Sequence, residues 1–372
     1  MKKLWIFIGL FAAVLYCQKG EGKAASVKLN EKNFPEFYFR HYIGMLYDEN
    51  GDGELSDAER TKVTEIDVGR FSDYRATYEY PAVRTLKGIE YFPDLEILSC
   101  YSNALIKLDV SKNKKLKELY CASNAIEKLN VKSNKKLKLL SCSYNEIEEI
   151  NVKSNKELEC LYCSYNGIKK VNVNINKKLK VLEVAGNKLK RLDVTGLKKL
   201  ERLSCIENKL SKLNVTKNSK LTFLACSSNK IKKLNLQKNK LLDTLYCYDN
   251  QLSKLDLSKN RMLQYLYCKE NQLVTGNLKI SRTQFESVED SPQKQTIRAK
   301  KKGKYYFIPI KGINRTNEIT NLSAGVITEK GIRLKGKKLP KKITYEYNMF
   351  TDGEEKTKVE IKVKKKGKKK SK

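Results

Sequence analysis

Apolar residues recur through the middle of the chain with a fixed period of 21 residues. The pattern runs from Leu95 to about Leu273 without an insertion, and each unit carries leucine at its first and fourth positions. In the stretch Leu98-Ser99-Cys100, two apolar residues flank a polar one. Alternation of this kind predicts one short β-strand in every unit.

A cysteine column and an asparagine column accompany the leucines. Cysteine occupies the sixth position of every unit except one, where Val184 replaces it, and asparagine occupies the ninth. The asparagines are Asn103, Asn124, Asn145, Asn166, Asn187, Asn208, Asn229, Asn250 and Asn271. Buried amides can satisfy backbone groups, so this column and a second one that begins at Asn113 are expected to hold the turns of each coil.

The complete unit reads L-x-x-L-x-C-x-x-N-x-I/L-x-x-L-D/N-V-x-x-N-x-x. It resembles the leucine-rich repeat, with cysteine in the third apolar position. Neighbouring cysteines of the column would lie at strand spacing with parallel side chains, which does not suit the geometry of a disulfide. We therefore expect them to be packed free thiols, because cysteine then behaves as a small buried apolar residue.

A single unit cannot fold alone. Ordering 21 residues costs roughly 30 kcal/mol at about 1.5 kcal/mol per residue, whereas about six buried apolar side chains return only ~9 to 18 kcal/mol. The units must therefore stack, with strands of successive coils pairing in parallel at about 4.8 Å. The expected fold is an α/β-type repeat solenoid of nine units over residues 95–280, with a parallel β-sheet on its concave face.

The segment before the repeats has the pattern of an EF-hand. Residues 34–47 place apolar groups at helical spacing, and the next twelve residues carry oxygen atoms at loop positions 1, 3, 5, 7, 9 and 12, with Gly53 at the sharp turn. The ligands predicted for Ca²⁺ are Asp48, Asn50, Asp52, Glu54, Ser56 and Glu59. We interpret residues 26–94 as an EF-hand-like cap with a structural calcium ion; an acidic turn without metal is the alternative.

The first 25 residues are typical of a signal peptide. Lys2 and Lys3 precede an apolar run from Leu4 to Cys17 that is too short to span a bilayer. A lipid on Cys17 is a less favoured alternative to simple secretion. The order of export signal, EF-hand loop, the stretch GIEYFPDL at 88–95 and 21-residue repeats resembles secreted leucine-rich repeat proteins of Gram-positive bacteria, of the internalin-like type. That resemblance implies a secreted or cell-surface binding protein, and it identifies no ligand.

After Asn271 the repeat decays. Residues 281–296 are polar and contain Pro292, which predicts a linker. Residues 297–363 alternate in short strands, and Asp352-Gly353 is a hairpin signal, so we expect a small antiparallel β-sandwich there. The lysine-rich residues 364–372 are predicted to be disordered.

The charge of the chain is strongly positive, +34 from 76 basic and 42 acidic residues. Most repeat lysines, such as Lys107 and Lys112, occupy turn positions away from the predicted strands. A nucleic-acid-binding protein concentrates its charge where the ligand lies, so we do not expect nucleic acid as a partner. The charge either keeps the solenoid soluble or attracts anionic cell-wall polymers to the basic surfaces and the tail.

Aromatic side chains mark the strand face of the solenoid. They are Tyr101, Tyr120, Tyr144, Tyr162, Tyr165, Phe223, Tyr246, Tyr248, Tyr265 and Tyr267. Serines such as Ser143 and Ser164 fill the gaps between them. Tyrosine and serine together are typical of binding loops, so these aromatics are predicted to bind a protein or glycan ligand. The alternative is that cross-strand tyrosine stacks only stabilise the sheet.

Catalytic chemistry finds little support. His41 is the only histidine and lies on the predicted EF-hand helix, and Cys160 points outward without an identifiable base. We expect a binding protein for adhesion or recognition, and no enzyme, at the cell surface or outside the cell. The alternative is a structural cell-wall protein that binds anionic polymers.

Overall fold

The computed structural model describes residues 26–69, 82–274, 278–310, 319–335, 338–351 and 355–365. The predicted signal peptide, Cys17 and residues 366–372 of the lysine-rich tail lie outside these ranges. In the described part of the chain, no helix is long and apolar enough to cross a membrane.

One parallel sheet of eleven short strands runs along the solenoid in chain order. Each of the nine repeats contributes one strand in a 21-residue register, so that Leu98 pairs with Leu119 and Leu119 with Leu140. These strands are β4 (Ile97–Ser99), β6 (Glu118–Tyr120), β8 (Leu139–Ser141), β9 (Cys160–Tyr162), β10 (Val181–Glu183), β11 (Arg202–Ser204), β12 (Phe223–Ala225), β13 (Thr244–Tyr246) and β14 (Tyr265–Tyr267). The first two repeats also pair a flank strand, β5 (Lys107–Leu108) with β7 (Lys128–Leu129).

The leucine and cysteine columns form the core. The central leucine of every strand is fully buried, and the column cysteines from Cys100 to Cys268 are buried free thiols, as predicted. Val184 fills the one gap in that column and is buried as well. Each coil therefore presents the same apolar surface to both of its neighbours.

Each ninth-position asparagine binds its own coil to the preceding one. In Asn208, Nδ2 donates to Val184 O at 2.9 Å and to Cys205 O at 3.3 Å, while Oδ1 accepts a hydrogen bond from Leu189 N at 2.9 Å. A further bond of the same amide reaches Ile206 O at 3.1 Å. The predicted role of this column is confirmed.

The second asparagine column holds the return turn. Asn218 Nδ2 donates to Val194 O at 2.9 Å and to Leu197 O at 2.8 Å, and equivalent pairs recur in the other coils. Leu197 interrupts this column and is fully buried. An apolar side chain is therefore accepted at this position where the amide is missing.

In its described residues, 26–69 and 82–94, the N-terminal cap contains two α-helices and three short strands. They are β1 (Val27–Lys28), α1 (Phe37–Tyr47), β2 (Glu54–Leu55), α2 (Asp57–Lys62) and β3 (Glu65–Asp67). A 3-10 turn, Ile89–Tyr91, precedes the first repeat. Phe34 packs against Phe39, Tyr91 and Phe92, and its ring lies over Gly88, where a Cβ would come within 2.2 Å. β3 pairs with β4, so the cap closes the solenoid core.

Residues 281–296 differ from the predicted linker, because they form a tenth coil. The 3-10 turn Arg282–Gln284 leads into β15 (Ser287–Glu289), which pairs with β14. Gln284 and Gln293 replace the two column asparagines: Gln284 Nε2 donates to Leu263 O at 3.0 Å, and Gln293 Nε2 donates to Cys268 O at 2.9 Å. Amide side chains thus continue the ladder where the asparagine pattern ends.

The C-terminal strands form a six-stranded order with one parallel pair, so the strands do not all pair antiparallel as predicted. The order is β18, β19, β17, β16, β21, β20. Their bounds are β16 (Gln293–Lys302), β17 (Tyr305–Pro309), β18 (Val326–Thr328), β19 (Gly331–Lys335), β20 (Lys342–Tyr347) and β21 (Thr357–Lys365). β16 continues directly from the tenth coil and pairs in parallel with β21.

The C-terminal sheet is fastened to the last repeats through buried tyrosines. Tyr345 Oη donates to Val274 O at 2.7 Å, and Tyr347 Oη donates to Leu273 O. Both rings are almost fully buried, and burial raises the pKa of Tyr345. β20 and β21 pair antiparallel, as the hairpin signal predicted, although Asp352-Gly353 itself lies outside the described residues.

Candidate functional site

The predicted aromatic residues occupy four columns on and beside the parallel sheet of the solenoid. Phe223 and Tyr265 begin their strands; Tyr120, Tyr162, Tyr246 and Tyr267 end theirs; Tyr101 and Tyr248 follow two residues later; Tyr144 and Tyr165 lie one residue further, at the rim. Because the strands are in register, members of one column in adjacent repeats are direct neighbours. Two aromatic residues of one column in adjacent repeats can therefore stack.

The last repeats carry one continuous aromatic row. The rings of Tyr246 and Tyr267 are stacked with centroids 4.4 Å apart at 9°. Phe223 lies 5.8 Å from Tyr246 in a tilted contact, and the Arg202 guanidinium lies 3.6 Å above the Phe223 ring, within range of a strong cation–π contact. Arg202 Nε also donates to Glu183 Oε1 at 3.1 Å, so these two charged side chains form the end of the row.

A second stack lies on the rim of repeats three and four. Tyr144 and Tyr165 are stacked with centroids 4.6 Å apart at 13°, and they expose 56% and 41% of their surface. The Tyr165 ring lies over Gly186, where a Cβ would come within 2.4 Å of it. A side chain at position 186 would thus displace the stack. Tyr144 and Tyr165 both adopt positive φ, 54° and 51°.

Three further aromatic residues each contact a carboxylate or a glycine. Tyr120 Oη donates to Glu118 Oε2 at 2.6 Å, and burial together with this bond raises the pKa of Tyr120 to about 12. Tyr265 Oη donates to Glu286. The Tyr101 ring packs over Gly69, so close that a Cβ there would lie 2.4 Å away. Sequence reasoning missed Glu118 and Gly186, although the 21-residue register places each beside an aromatic column.

The serines of this surface are structural in part. Ser143 Oγ accepts a hydrogen bond from Ser164 N at 3.0 Å, and Ser164 Oγ accepts one from Ala185 N at 3.0 Å. Ser227 is fully buried. The hydroxyls of Ser143 and Ser164 accept backbone hydrogen bonds between coils, and that of Ser227 is buried with no partner in the described part of the chain, so these serines do not form the open polar surface that the composition suggested.

The predicted calcium loop has the backbone of a sharp turn. Gly51 and Gly53 have φ of 68° and 78°, which glycine adopts without strain. Asp48 Oδ2 accepts a hydrogen bond from Gly53 N at 3.0 Å, and Asp52 Oδ1 accepts one from Glu54 N at 2.9 Å. The first, third and fifth loop residues are thereby brought to one turn.

Glu59, the predicted last ligand, is engaged at the start of α2. Its carboxylate accepts hydrogen bonds from Ser56 N at 2.7 Å and Glu49 N at 2.8 Å, and Ser56 Oγ caps the helix in return. The bonds from Ser56 lower the pKa of Glu59. Among the described residues, no group of three or more His, Cys, Asp or Glu side chains is close enough to hold a metal.

One atom of the loop supports a cation nevertheless. Asp48 Oδ1 is buried and has no hydrogen-bond partner in the described part of the chain. A buried carboxylate oxygen without a partner is costly, and a hard cation with oxygen ligands would satisfy it. The Glu54 side chain faces Lys28 Nζ at 3.5 Å, and its carbonyl stands at loop position 7, where an EF-hand supplies a backbone ligand.

The fold is similar to that of solved leucine-rich repeat proteins. An internalin (inlF) from Listeria monocytogenes matches with a TM-score of 0.60 and 19% identity, over 73% of this chain and 80% of that one. The functional domain of InlJ from the same organism, which includes a cysteine ladder, gives 0.36 and 21% over 91% and 99% of the two chains. YopM from Yersinia enterocolitica gives 0.43 and 21% over 55% and 44%. No protein-family model and no curated protein matches the chain. The comparison with the inlF internalin supports a leucine-rich repeat solenoid as the fold of this chain.

Proposed function

We propose that this chain is an extracellular or surface-attached recognition protein that binds a protein ligand across its concave face. The observation that carries the proposal is the pair of aromatic stacks on that face, Tyr144–Tyr165 and the row from Phe223 to Tyr267. Aromatic side chains that are already ordered lose little entropy on binding. Tyrosines held in this way are typical hot spots of protein interfaces.

The stacking geometry favours a protein over a glycan. Carbohydrate rings bind by stacking on open aromatic faces, but the facing sides of Tyr246 and Tyr267 are closed to a ligand by their contact at 4.4 Å. Phe223 and Arg202 cover further ring surface in the same row. What remains is a series of ring edges and hydroxyls, which suits the mixed apolar and hydrogen-bonding surface of a protein.

The test compares the full chain with the double variant Tyr246→Ala, Tyr267→Ala as immobilised baits for cell-surface extracts. Hot-spot tyrosines cost ~2 kcal/mol or more when truncated, so the double variant should bind the captured ligand at least about tenfold more weakly. Neither ring belongs to the buried core, so the melting temperature should change little. Protease treatment of the extract should remove the captured component, whereas periodate oxidation of its glycans should not.

A matched control carries changes away from the concave face. Lys112→Gln with Lys114→Gln alters two exposed residues of a return turn and should bind like the parent at physiological salt. Loss of binding in the lysine variant with full binding in the tyrosine variant would assign recognition to the basic surface instead. Capture that periodate abolishes and protease spares would make the ligand a glycan.

We also infer that Ca²⁺ binds the loop from Asp48 to Glu59 and stabilises the N-terminal cap. The ligand set is that of the sequence prediction, with the carbonyl of Glu54 and the side chains of Asp48, Asn50, Asp52, Ser56 and Glu59. The unpartnered Asp48 Oδ1 supports this inference. A bound ion would tie α1 to α2 beside the first strand of the solenoid, which is a structural role.

A further inference from the structure

A basic surface lies on the flank where the chain leaves the sheet in repeats four to eight, and we propose that it binds a linear polyanion. It consists of one four-residue segment per repeat, 167–170, 188–191, 209–212, 230–233 and 251–254. Every segment contains lysine and none contains Asp or Glu. We call this surface the basic flank. It is separate from the concave face and does not rest on the function proposed above.

Backbone hydrogen bonds fix these segments as a ladder. Lys209 N donates to Leu189 O at 2.8 Å, and Lys230 N donates to Leu210 O at 2.8 Å. The second residue of each segment is a buried leucine or isoleucine that anchors it in the core. The first residues of the three central segments, which include Lys188, are exposed lysines that follow one another at the coil spacing of about 5 Å.

The opposite flank shows how this fold neutralises lysines. There, charges of opposite sign meet between adjacent coils: Lys115 Nζ lies 2.6 Å from Asp94 Oδ1, and Lys180 Nζ lies 2.7 Å from Glu159 Oε2. Inter-coil ion pairs of this kind need one acidic residue 21 positions before the lysine. From Lys188 onward, no cation of the basic flank has an acidic residue at that position.

Only the edge of the basic flank is neutralised within the described chain. Lys169 Nζ pairs with Glu148 Oε2 at 2.8 Å, and Glu148 belongs to the third repeat. The equivalent positions of the second and third repeats hold Glu127, Glu146 and Glu149. Acidic side chains are therefore compatible with these positions. Rows of like charge in neighbouring strands repel each other, so folding alone does not favour the lysines.

The side chains of the basic flank indicate the chemical class of its ligand. Its cations are lysines except for Arg191, and a lysine is a flexible point charge without the planar fork that recognises one fixed group. The five segments contain no aromatic residue, so nucleic-acid bases would find no stacking surface there. A flexible polymer with phosphate or carboxylate groups along its backbone fits both observations, since it can follow the row of cations across the coils.

The test uses the full chain, long-chain inorganic polyphosphate as the probe, and two triple variants of equal net charge. The flank variant is Lys188→Glu, Lys209→Glu, Lys230→Glu, and the control on the other side of the solenoid is Lys135→Glu, Lys156→Glu, Lys198→Glu. All six lysines are exposed. Binding is measured as a function of salt, because each lost phosphate contact lowers the slope of log K against log salt by about 0.7.

The flank variant should bind polyphosphate about tenfold or more weakly near 0.1 M salt, with a slope reduced by about two units, while the control changes less than about threefold. Equal weakening of both variants would mean that only the overall charge matters and would overturn the proposal. So would unchanged binding by the flank variant. If reversal of charge lowers the melting temperature, the corresponding Lys→Gln triple is measured in its place.

Two further arms identify the polymer. Poly-L-glutamate bound with the same dependence on the three flank lysines extends the proposal to carboxylate polymers, and its failure to bind restricts the partner to phosphate. Duplex DNA bound as tightly as polyphosphate through the same lysines would replace the proposal with a nucleic-acid site. The variant Tyr246→Ala, Tyr267→Ala should retain full polyphosphate binding, which separates this surface from the concave face.

Discussion

Removing one column amide should destabilise the solenoid far more than removing an exposed one from the same repeat. Asn208→Ala deletes Asn208 Oδ1, which accepts the hydrogen bond of the buried Leu189 N at 2.9 Å. The three carbonyls that receive its amide keep other donors: Asn187 for Val184 O, Asn229 for Cys205 O and the Gly186 amide for Ile206 O. The loss is therefore one orphaned donor together with weakened bonds to three shared acceptors.

The magnitude follows from that count. An unsatisfied buried donor costs about 1 to 3 kcal/mol, and the weakened carbonyl bonds together add about 1 kcal/mol. We expect Asn208→Ala to lower the free energy of unfolding by about 2 to 4 kcal/mol. Asn214 is the matched control, because its exposed side chain accepts hydrogen bonds only from Thr216 N at 3.1 Å and Thr216 Oγ1 at 2.7 Å.

Urea denaturation followed by circular dichroism measures the difference. The midpoint of Asn208→Ala should fall well below that of Asn214→Ala, whose change should stay under about 1 kcal/mol. Hydrogen exchange at the amide of Leu189 provides a local readout and should accelerate in the first variant only. Equal midpoints, or protection of the Leu189 amide without Asn208, would refute the assignment of the column as the main polar support of the coils.

Three other outcomes follow from the structure. Calcium at about a hundredfold excess over its Kd should raise the free energy of unfolding by ~2.7 kcal/mol. The variant Glu59→Gln keeps an acceptor for the helix cap but should lose most of this gain. A melting curve that a chelator leaves unchanged would exclude the site. Burial raises the pKa of Cys226 to about 12, so a thiol reagent at pH 8 should label half-buried Cys160 first and the column cysteines only after denaturation, whereas column cysteines found largely oxidised would contradict free thiols. The hydrogen bond from Lys279 lowers the pKa of Asp256 to about 2. Because the folded pKa lies below the unfolded value, Asp256 stabilises the fold above about pH 4 and this contribution disappears as pH falls toward 2; Asp256→Asn should flatten that part of the stability curve, and identical curves would show that the pair contributes nothing.

The solenoid could be predicted from sequence because every coil solves the same packing problem. A leucine such as Leu119 can only be buried between two similar leucines 21 residues away, so the period alone fixes the register. The tenth coil was not predicted because glutamines replace the asparagines there. Gln284 and Gln293 make the equivalent hydrogen bonds with a side chain one methylene longer, and their spacing differs from the 21-residue period. β16 was not predicted either, because the lysines in its second half interrupt the alternation of apolar and polar residues that indicates a strand.

The composition of the aromatic surface could be predicted from the sequence, but the arrangement of its side chains could not. The columns place Tyr246 beside Tyr267, but whether two rings stack or splay depends on side-chain rotamers, which the repeat pattern does not determine. The pattern also does not show that the Arg202 guanidinium lies over the Phe223 ring while its Nε donates to Glu183. The prediction that the serines contact a ligand has a related weakness, because backbone donors between coils already bond to the hydroxyls of Ser143 and Ser164.

The parallel pairing of β16 with β21 has a mechanical consequence. The solenoid is joined to the first end of β16, and the chain beyond Lys365 leaves from the last end of β21, so a pull between the two acts along the strands in opposite directions. The register runs from Gln293 opposite Val359 to Ala299 opposite Lys365, and its hydrogen bonds would all be loaded together in shear. An antiparallel arrangement pulled at one edge would open bond by bond. A solenoid that holds a ligand under flow would therefore transmit the force through its C-terminal sheet without unzipping it.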